Sequence, residues 1–309
     1  MSKALISVII AARNSEETLS KCLDSVTKIQ DPAFEIFVVD DGSTDRTGSI
    51  AAGYPGVKLL RTSGIGPSAA RNKAVKEARG DFIAFTDSDC IVPQEWLTEL
   101  RRGFTEESVA GTGGVQESPA DEVPFARKVH WFLAAFGFMT NYMQTATTMR
   151  EVDHNASCNV MYRKVVYQKF CGFLEAFWPG EDLEFDHRLG KAGRKLTMNP
   201  KAVVYHYRTR TWEGFKQMMF RYGWAQGKLV RIHGFFRFIQ WLPLVTLAGS
   251  ILSFFFPLPV LLVVLLAMAA IFIRLSFDTK LWILSMVAFI QWHAGFLKGI
   301  AASKGFGRL

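Results

Sequence analysis

The chain has 309 residues, 49% of them hydrophobic, enough for one large domain or two modest ones. Its formal net charge is +8, yet twelve Lys or Arg against the single acid Glu213 fall between Arg188 and Arg237, so the remainder is slightly acidic. Four scattered cysteines (Cys22, Cys90, Cys158, Cys171) form no CxxC pair, which argues against a disulfide framework or a zinc site and suits a reducing compartment.

The opening "MSKALISVII" becomes strand-like too soon for a signal peptide, which places the N-terminal part in the cytoplasm. "LISVIIAAR" (5–13) reads as an apolar strand. "SEETLSKCLDSVTK" (15–28) reads as an amphipathic helix opened by a capping box at Ser15 and Thr18, with Glu16 and Glu17. "FEIFVVDD" (34–41) is a second strand, and "TDRTGSIAAGY" (44–54) a second helix with Thr44 as its cap. "VKLLRT" (57–62), "GPSAARNKAVKEARG" (66–80) and "DFIAFTDSD" (81–89) continue the alternation. Apolar strands without a polar face predict burial on both sides, hence a mostly parallel sheet flanked by helices, whose ligands bind beyond the carboxyl ends of the strands. Asp40–Asp41 and Asp87–Asp89 both fall at such ends. Two acids at i and i+2 of an extended segment share a side, and crowding them is costly unless a cation sits between them.

"FARKVHWFLAAFGFMTNYMQTATTM" (125–149) reads as a buried helix by default, although Arg127 and Lys128 ahead of Trp131, Phe132, Phe136 and Phe138 also suit a helix lying in a bilayer surface. In "FWPGEDLEFDHRLGKAG" (177–193), Glu181 and Asp182 open a helix whose dipole alone would favour them. "AVVYHYRTRTW" (202–212) runs as a strand to His206, with Arg208 and Arg210 following. Those two arginines suit a diphosphate or anionic lipid.

From Phe238 to Ile273 no residue is charged, whereas one helix needs about 20 apolar residues to cross a bilayer. "FFFPLPV" (254–260) interrupts this run, and Leu281–Leu297 supplies another. The expected division is an N-terminal α/β domain over 1–235 and a membrane domain over 236–309 with two or three apolar segments. Arg231 and Arg237 before the first segment, and Lys298, Lys304 and Arg308 after the last, put both flanks on the cytoplasmic side. Positive charge set directly against apolar segments disfavours nucleic acid as the partner.

Together, "SVIIAARNSEETLSKCLDSV", "VVDDGSTDRT", "GPSAARNKAV", "FTDSDC" and "PGEDLEFDHRL" resemble, in order and spacing, the inverting family 2 glycosyltransferases with the GT-A (Rossmann-like) fold, a mixed, mostly parallel sheet flanked by helices, over roughly the first 230 residues. The resemblance implies that Asp41, with Asp40 beside it, contacts the base of a nucleotide sugar. It further implies that Asp87 and Asp89 hold Mg²⁺ or Mn²⁺ on the donor's diphosphate, and that Asp182 is the general base. Glu181 then orients the acceptor or its loop. His206 is a candidate for the metal or phosphate, and Arg71 either touches the diphosphate or holds an acid. Polymerising relatives carry Q/RxxRW, whereas here Gln217, Arg221 and Trp224 stand at a different spacing. Transfer of one sugar is therefore expected, with Trp224 left between acceptor contact and helix packing.

The expected protein is a multi-pass membrane glycosyltransferase acting at the cytoplasmic face, moving a sugar from a nucleotide-diphosphate donor to a lipid-linked (polyprenyl) acceptor. Two alternatives stay open: a membrane-anchored nucleotide-sugar-binding protein without catalysis, and a transferase to polyprenyl phosphate that needs no base. A nucleotidyltransferase is disfavoured because "AARNSEET" is not a Gly-rich, Lys-containing loop.

Overall fold

The computed structural model describes residues 4–30, 33–138, 146–175, 177–275 and 278–302. Lys304 and Arg308, and positions 139–145 of the long apolar stretch, lie outside them. The chain packs as two compact units, Met1–Glu122 with Ala134–Arg208, and Val123–Leu133 with Thr209–Leu309. This division falls at 208/209, upstream of the 235/236 expected from hydropathy, because the helix that follows Arg208 packs with the C-terminal helices.

The first unit is built on a nine-stranded sheet in the order β3-β2-β1-β4-β8-β6-β9-β5, with β7 paired to β9. Its first half runs β1 (Ile6–Ala12), α1 (Leu19–Val26), β2 (Phe34–Asp41), α2 (Thr47–Ala52), β3 (Val57–Thr62), α3 (Pro67–Glu77) and β4 (Phe82–Asp87). These four strands are parallel. β1 is buried on both faces: Val8 and Ile10 join Leu19, Cys22 and Leu23 of α1, while Ile9 faces Ala70 and Ala74 of α3.

The second half adds β5 (Cys90–Ile91), α4 (Trp96–Arg102), β6 (Val109–Glu117), β7 (Arg150–Val152), β8 (Asn159–Arg163), α6 (Lys164–Lys169), α7 (Glu181–Lys191) and β9 (Lys195–His206). α5 (Pro124–Ala135) lies between β6 and β7 in the chain. β8 is antiparallel to β4 and β6, and β9 is antiparallel to β5 and β7 but parallel to β6. Four pairings are thus parallel and four antiparallel among the described residues, so the sheet is evenly mixed rather than mostly parallel. β8 and β5 do not enter by helical crossovers in a common direction, and only such crossovers impose parallel pairing.

Two expected helix starts move. α1 begins at Leu19 and α2 at Thr47, because the residues before them are committed to bonds between the two loops. The Ser15 amide donates to Thr47 Oγ1, the Thr44 amide donates to Asn14 Oδ1, and the Glu16 amide donates to Asp45. Neither the Ser15/Thr18 capping box nor a Thr44 cap forms.

The second unit holds α8 (Trp212–His233), a short 3₁₀ turn (Phe238–Trp241), α9 (Leu242–Phe255), α10 (Pro257–Arg274) and α11 (Thr279–Ala301). The expected break in the apolar run falls at Phe256. α8 and α11 are parallel neighbours that meet along four glycines. A Cβ at Gly223 or Gly227 would overlap the carbonyls of Trp292 or Phe296, and one at Gly295 or Gly299 those of Phe220 or Trp224. Small residues at a four-residue interval on both helices let the backbones touch. By length and composition Phe238–Phe255 and Thr279–Ala301 are able to cross a membrane, and Pro257–Ile271 is a shorter apolar helix.

Candidate active site

The carboxyl end of β4 gathers most of the predicted residues. The strand stops at Asp87, Ser88 and Asp89 form a turn, and Cys90 starts β5. The two acids therefore converge through a turn and not, as expected, along an extended segment. β5 pairs with β9 so that Cys90 stands opposite His206. This register carries the imidazole to the acids, with Nε2 3.3 Å from Asp89 Oδ1. Ligand atoms of Asp87, Asp89 and His206 all lie within 4.8 Å of one another.

The tautomer of His206 follows from its neighbours. An Arg208 guanidinium nitrogen lies 2.6 Å from Gln116 Oε1, and guanidinium only donates, so that atom is the amide oxygen. The same oxygen is 3.2 Å from His206 Nδ1, which must then carry a hydrogen. Nε2 is left facing Asp89. Burial and the Arg208 charge oppose protonation of His206, but the Asp89 carboxylate outweighs them and holds it above the usual imidazole range. Arg208, expected near phosphate, is buried and engaged with Gln116, and its amide donates to Glu122.

Arg71 joins this cluster to the next. One guanidinium nitrogen is 2.6 Å from Asp87 Oδ1 and another 2.8 Å from Glu181 Oε1. Of the two roles expected for Arg71, holding an acid is therefore the one seen. Burial, with the charge of Asp182 beside it, pushes the Glu181 carboxyl up to about 7, against the pull of Arg71. Gly180, at φ 93°, turns the chain into α7 and sets Glu181 and Asp182 in its first turn. Asp182 accepts from the Ser157 amide at 2.9 Å and the Leu183 amide at 2.8 Å, one bond to each oxygen. Each oxygen keeps a lone pair.

The acids after β2 divide their work. Asp40 accepts from the Ser43 amide and closes the turn. Asp41, 3% exposed, accepts from Thr62 Oγ1 at 2.6 Å and from the Ile65 and Gly66 amides at 2.8 Å. Burial acts against its charge, but these three donors, with Arg13 nearby, hold it below the usual carboxylate range. Asp41 thus shapes the loop 62–66, with one acceptor position left of about four.

Arg210 and Trp224 belong to the second unit. Arg210 is exposed ahead of α8, and Trp224 lies on α8 with the Lys228 ammonium 4.3 Å above its ring. Sequence reasoning missed Gln116, Ser157, Cys90 and Cys158, all of which touch or adjoin the site. None has a local signal, because strand pairing alone delivers them.

Two carboxylates and an imidazole whose Nε2 faces them fit a Mn²⁺ or Mg²⁺ ion that would take the place of the Nε2 proton, the imidazole favouring Mn²⁺.

Comparison with known proteins bears on this geometry. The family model for Glycosyl transferase family 2 matches residues 7–171, over half of the chain. Glycosyltransferase AglE of Haloferax volcanii is 30% identical over 65% of this chain and 66% of its own length. A Methanococcus voltae protein named dolichyl N-acetyl-alpha-D-glucosaminyl phosphate 3-beta-D-2,3-diacetamido-2,3-dideoxy-beta-D-glucuronosyltransferase is 26% identical, covering 96% of this chain and 97% of the relative. Among solved structures, the Pyrobaculum calidifontis mannosyltransferase PcManGT, in complex with GDP-Man and Mn²⁺, superposes with a TM-score of 0.67 at 17% identity, covering 97% of this chain and 88% of that one. S. aureus TarS 1-349 with UDP gives a TM-score of 0.52 at 21% identity, covering 96% and 90%. At these identities the structural likeness establishes a shared fold.

Proposed function

The chain belongs to glycosyltransferase family 2, and from that premise we propose that it moves one sugar, with inversion, from a nucleotide-diphosphate donor to a lipid-linked acceptor at the cytoplasmic face of a membrane. The observation that carries this reading is the Asp87–Asp89–His206 cluster tied through Arg71 to the Glu181–Asp182 pair. Donor chemistry and acceptor chemistry then share one edge of the sheet.

Asp87, Asp89 and His206 would hold the divalent ion, which would supply positive charge against the charge that grows on the leaving diphosphate. Asp41 offers its remaining acceptor position to the nucleotide base, and Asp40 keeps the turn that presents it. An acceptor hydroxyl attacks the anomeric carbon from the face opposite the diphosphate. As the new C–O bond forms, the bond to the diphosphate breaks, and Asp182 takes the hydroxyl proton. The two amide bonds to Asp182 fix its carboxylate without using up its lone pairs. Glu181, neutralised in part by Arg71, orients the start of α7.

The M. voltae relative's name describes transfer to the 3-position of a dolichyl-phosphate-linked sugar, which supports a lipid-linked acceptor with a sugar hydroxyl. Lipid access agrees with α9 and α10, whose apolar side chains stand exposed without a charge between Phe238 and Ile273. Arg231 and Arg237 ahead of them favour the cytoplasmic side.

The test is nucleotide release by the detergent-purified chain from UDP-, GDP- and dTDP-sugars with Mn²⁺ or Mg²⁺, with and without polyprenyl phosphate or a polyprenyl-linked sugar. Asp182→Asn is expected to lower the rate by about 10²–10⁴-fold while donor binding persists. Asp89→Ala is expected to abolish metal-dependent release. Full activity of Asp182→Asn on bare polyprenyl phosphate would favour the reading without a base. Binding of a donor without turnover under any of these conditions would favour the nucleotide-sugar-binding protein.

A further inference from the structure

The pairing that delivers His206 to the acids also delivers it to two thiols. Cys90 stands opposite His206 in the β5–β9 register. Cys158 precedes β8, whose Asn159 pairs with Thr86 one residue before Asp87. Ligand atoms of Cys90, Cys158 and His206 all lie within 4.8 Å of one another. Both cysteines are free, Cys90 wholly buried and Cys158 4% exposed. Cys22 is differently engaged, its thiol directed at the Asp87 carbonyl.

We propose that Cys90, Cys158 and His206 form a site for a thiophilic divalent cation, Zn²⁺ being the type, and that this site shares His206 with the Asp87–Asp89 set. Two thiolates and an imidazole are zinc donors, whereas the two carboxylates suit harder ions. With Zn–S near 2.3 Å and Zn–N near 2.0 Å, tetrahedral donors stand roughly 3.5–3.8 Å apart, so the cluster needs only a modest closure. The two thiols and the His206 imidazolium lose their protons to solvent as two Zn–S bonds and one Zn–N bond form, and the resulting pair of thiolates neutralises the ion. That neutrality is what a buried pocket requires. Asp89, 41% exposed beside His206 Nε2, gives the ion its way in, and water fills the fourth position, which keeps the site neutral. Because Nε2 has one lone pair, it serves one ion at a time. A bound Zn²⁺ therefore removes a ligand from the hard-cation site and inhibits transfer. The binding stands on the three donors alone; the inhibition rests on the metal-dependent transfer proposed above.

The test is titration of the full-length purified chain with Co²⁺, followed by Zn²⁺. The expected result is one Co²⁺ per chain with thiolate-to-cobalt charge-transfer absorption, which equimolar Zn²⁺ erases. Cys158→Ser and Cys90→Ser should each lose that absorption and weaken Zn²⁺ binding by about tenfold or more, as for loss of one of few ligands. Cys171→Ser, at an exposed thiol, should keep it. Absence of the absorption in the wild-type chain overturns the proposal, whatever the variants do, and so does its persistence in Cys158→Ser. In the transfer assay, Cys158→Ser should shift Zn²⁺ inhibition to higher concentration relative to its own uninhibited rate. Zinc inhibition without thiolate absorption would place Zn²⁺ on the carboxylates and overturn the proposal. Thiolate absorption in a chain that turns over no donor would uphold the site and reject the transfer reading alone.

Discussion

Arg71 is buried between two acids, and its removal has a defined cost. Arg71→Met would leave Asp87 and Glu181 without their shared cation in a poorly solvated place. Breaking a buried pair from one side costs about 3–5 kcal/mol, so the denaturation midpoint of this variant should fall well below that of an exposed control such as Arg46→Met. Glu35 makes a prediction about pH. It accepts from Ser7 Oγ at 2.7 Å, Lys58 Nζ at 2.6 Å and the Arg79 amide at 2.7 Å. Burial opposes its charge, but Lys58, then the Arg79 amide and Ser7, outweigh burial and lower it to about 2. A lowered carboxyl stabilises the fold fully above its unfolded value near 4.3, and the gain disappears as pH falls through its folded value. The stability difference between wild type and Glu35→Gln should thus be largest at neutral pH, shrink below about 4.3 and vanish near 2. A difference that stays flat with pH would reject the carboxylate as its source. At this scale the acids were legible because strand ends are where a parallel sheet exposes carboxylates. Gln116 and the cysteine pair were not legible, since their partners are set by strand register and not by neighbours in the chain. The bonds of Arg208 to Gln116 and Glu122 were hidden for the same reason, both being far away in sequence.

At the scale of elements, the strands β2 and β3 were read to the residue because their apolar runs end at Asp41 and Thr62, the last residues paired between them. The starts of α1 and α2 were not. Ser15 and Thr44 look like caps, and nothing in their neighbours hints that they bond across to the other loop. The even mixture of pairings was likewise hidden, because a strand's own pattern does not state its direction. The α8–α11 seam was written openly, in Gly223–Gly227 and Gly295–Gly299, but in two segments far apart. Its test is Gly223→Val. The added side chain meets the Trp292 backbone, which has no rotamer to yield, and overpacking of this kind costs about 1–3 kcal/mol. Gly249→Val, where a Cβ meets nothing, is the control, and equal melting temperatures for the two would reject close backbone contact.

For the whole molecule, the two apolar pairs are unlike. α9 and α10 carry no charge from Phe238 to Ile273 and expose Phe254, Leu258 and Val263. α11 is long enough to cross a membrane, yet it buries Leu284, Trp292 and Phe296 in the second unit, and its neighbour α8 carries Lys216, Arg221, Lys228 and Arg231. Charges of that density are costly at the depth of a bilayer centre. The inserted element should accordingly be α9–α10. Leu265→Arg at the middle of α10 adds about 2.5–3.5 kcal/mol to insertion. It should release the chain from membranes during an alkaline wash that leaves wild type in the pellet, and equal retention would reject α10 as the anchor.

The parallel seam also settles a question of direction. Gly227 meets Ile300, and an Arg231 guanidinium nitrogen lies 3.4 Å from the Ile300 carbonyl, so the far ends of α8 and α11 coincide. Two helices that travel the same way cannot be joined by a hairpin; the chain between Gly234 and Asp278 must make the journey back. α8, with 22 residues, is about 33 Å long, and α10, with 18, spans about 27 Å, close to one whole return. α9, with 14 residues, reaches only about 21 Å. One helix is the return leg and the other is surplus to it, so distance probes at Gly234 and Ala302 should lie close together, with Thr279 at the opposite end of the pair.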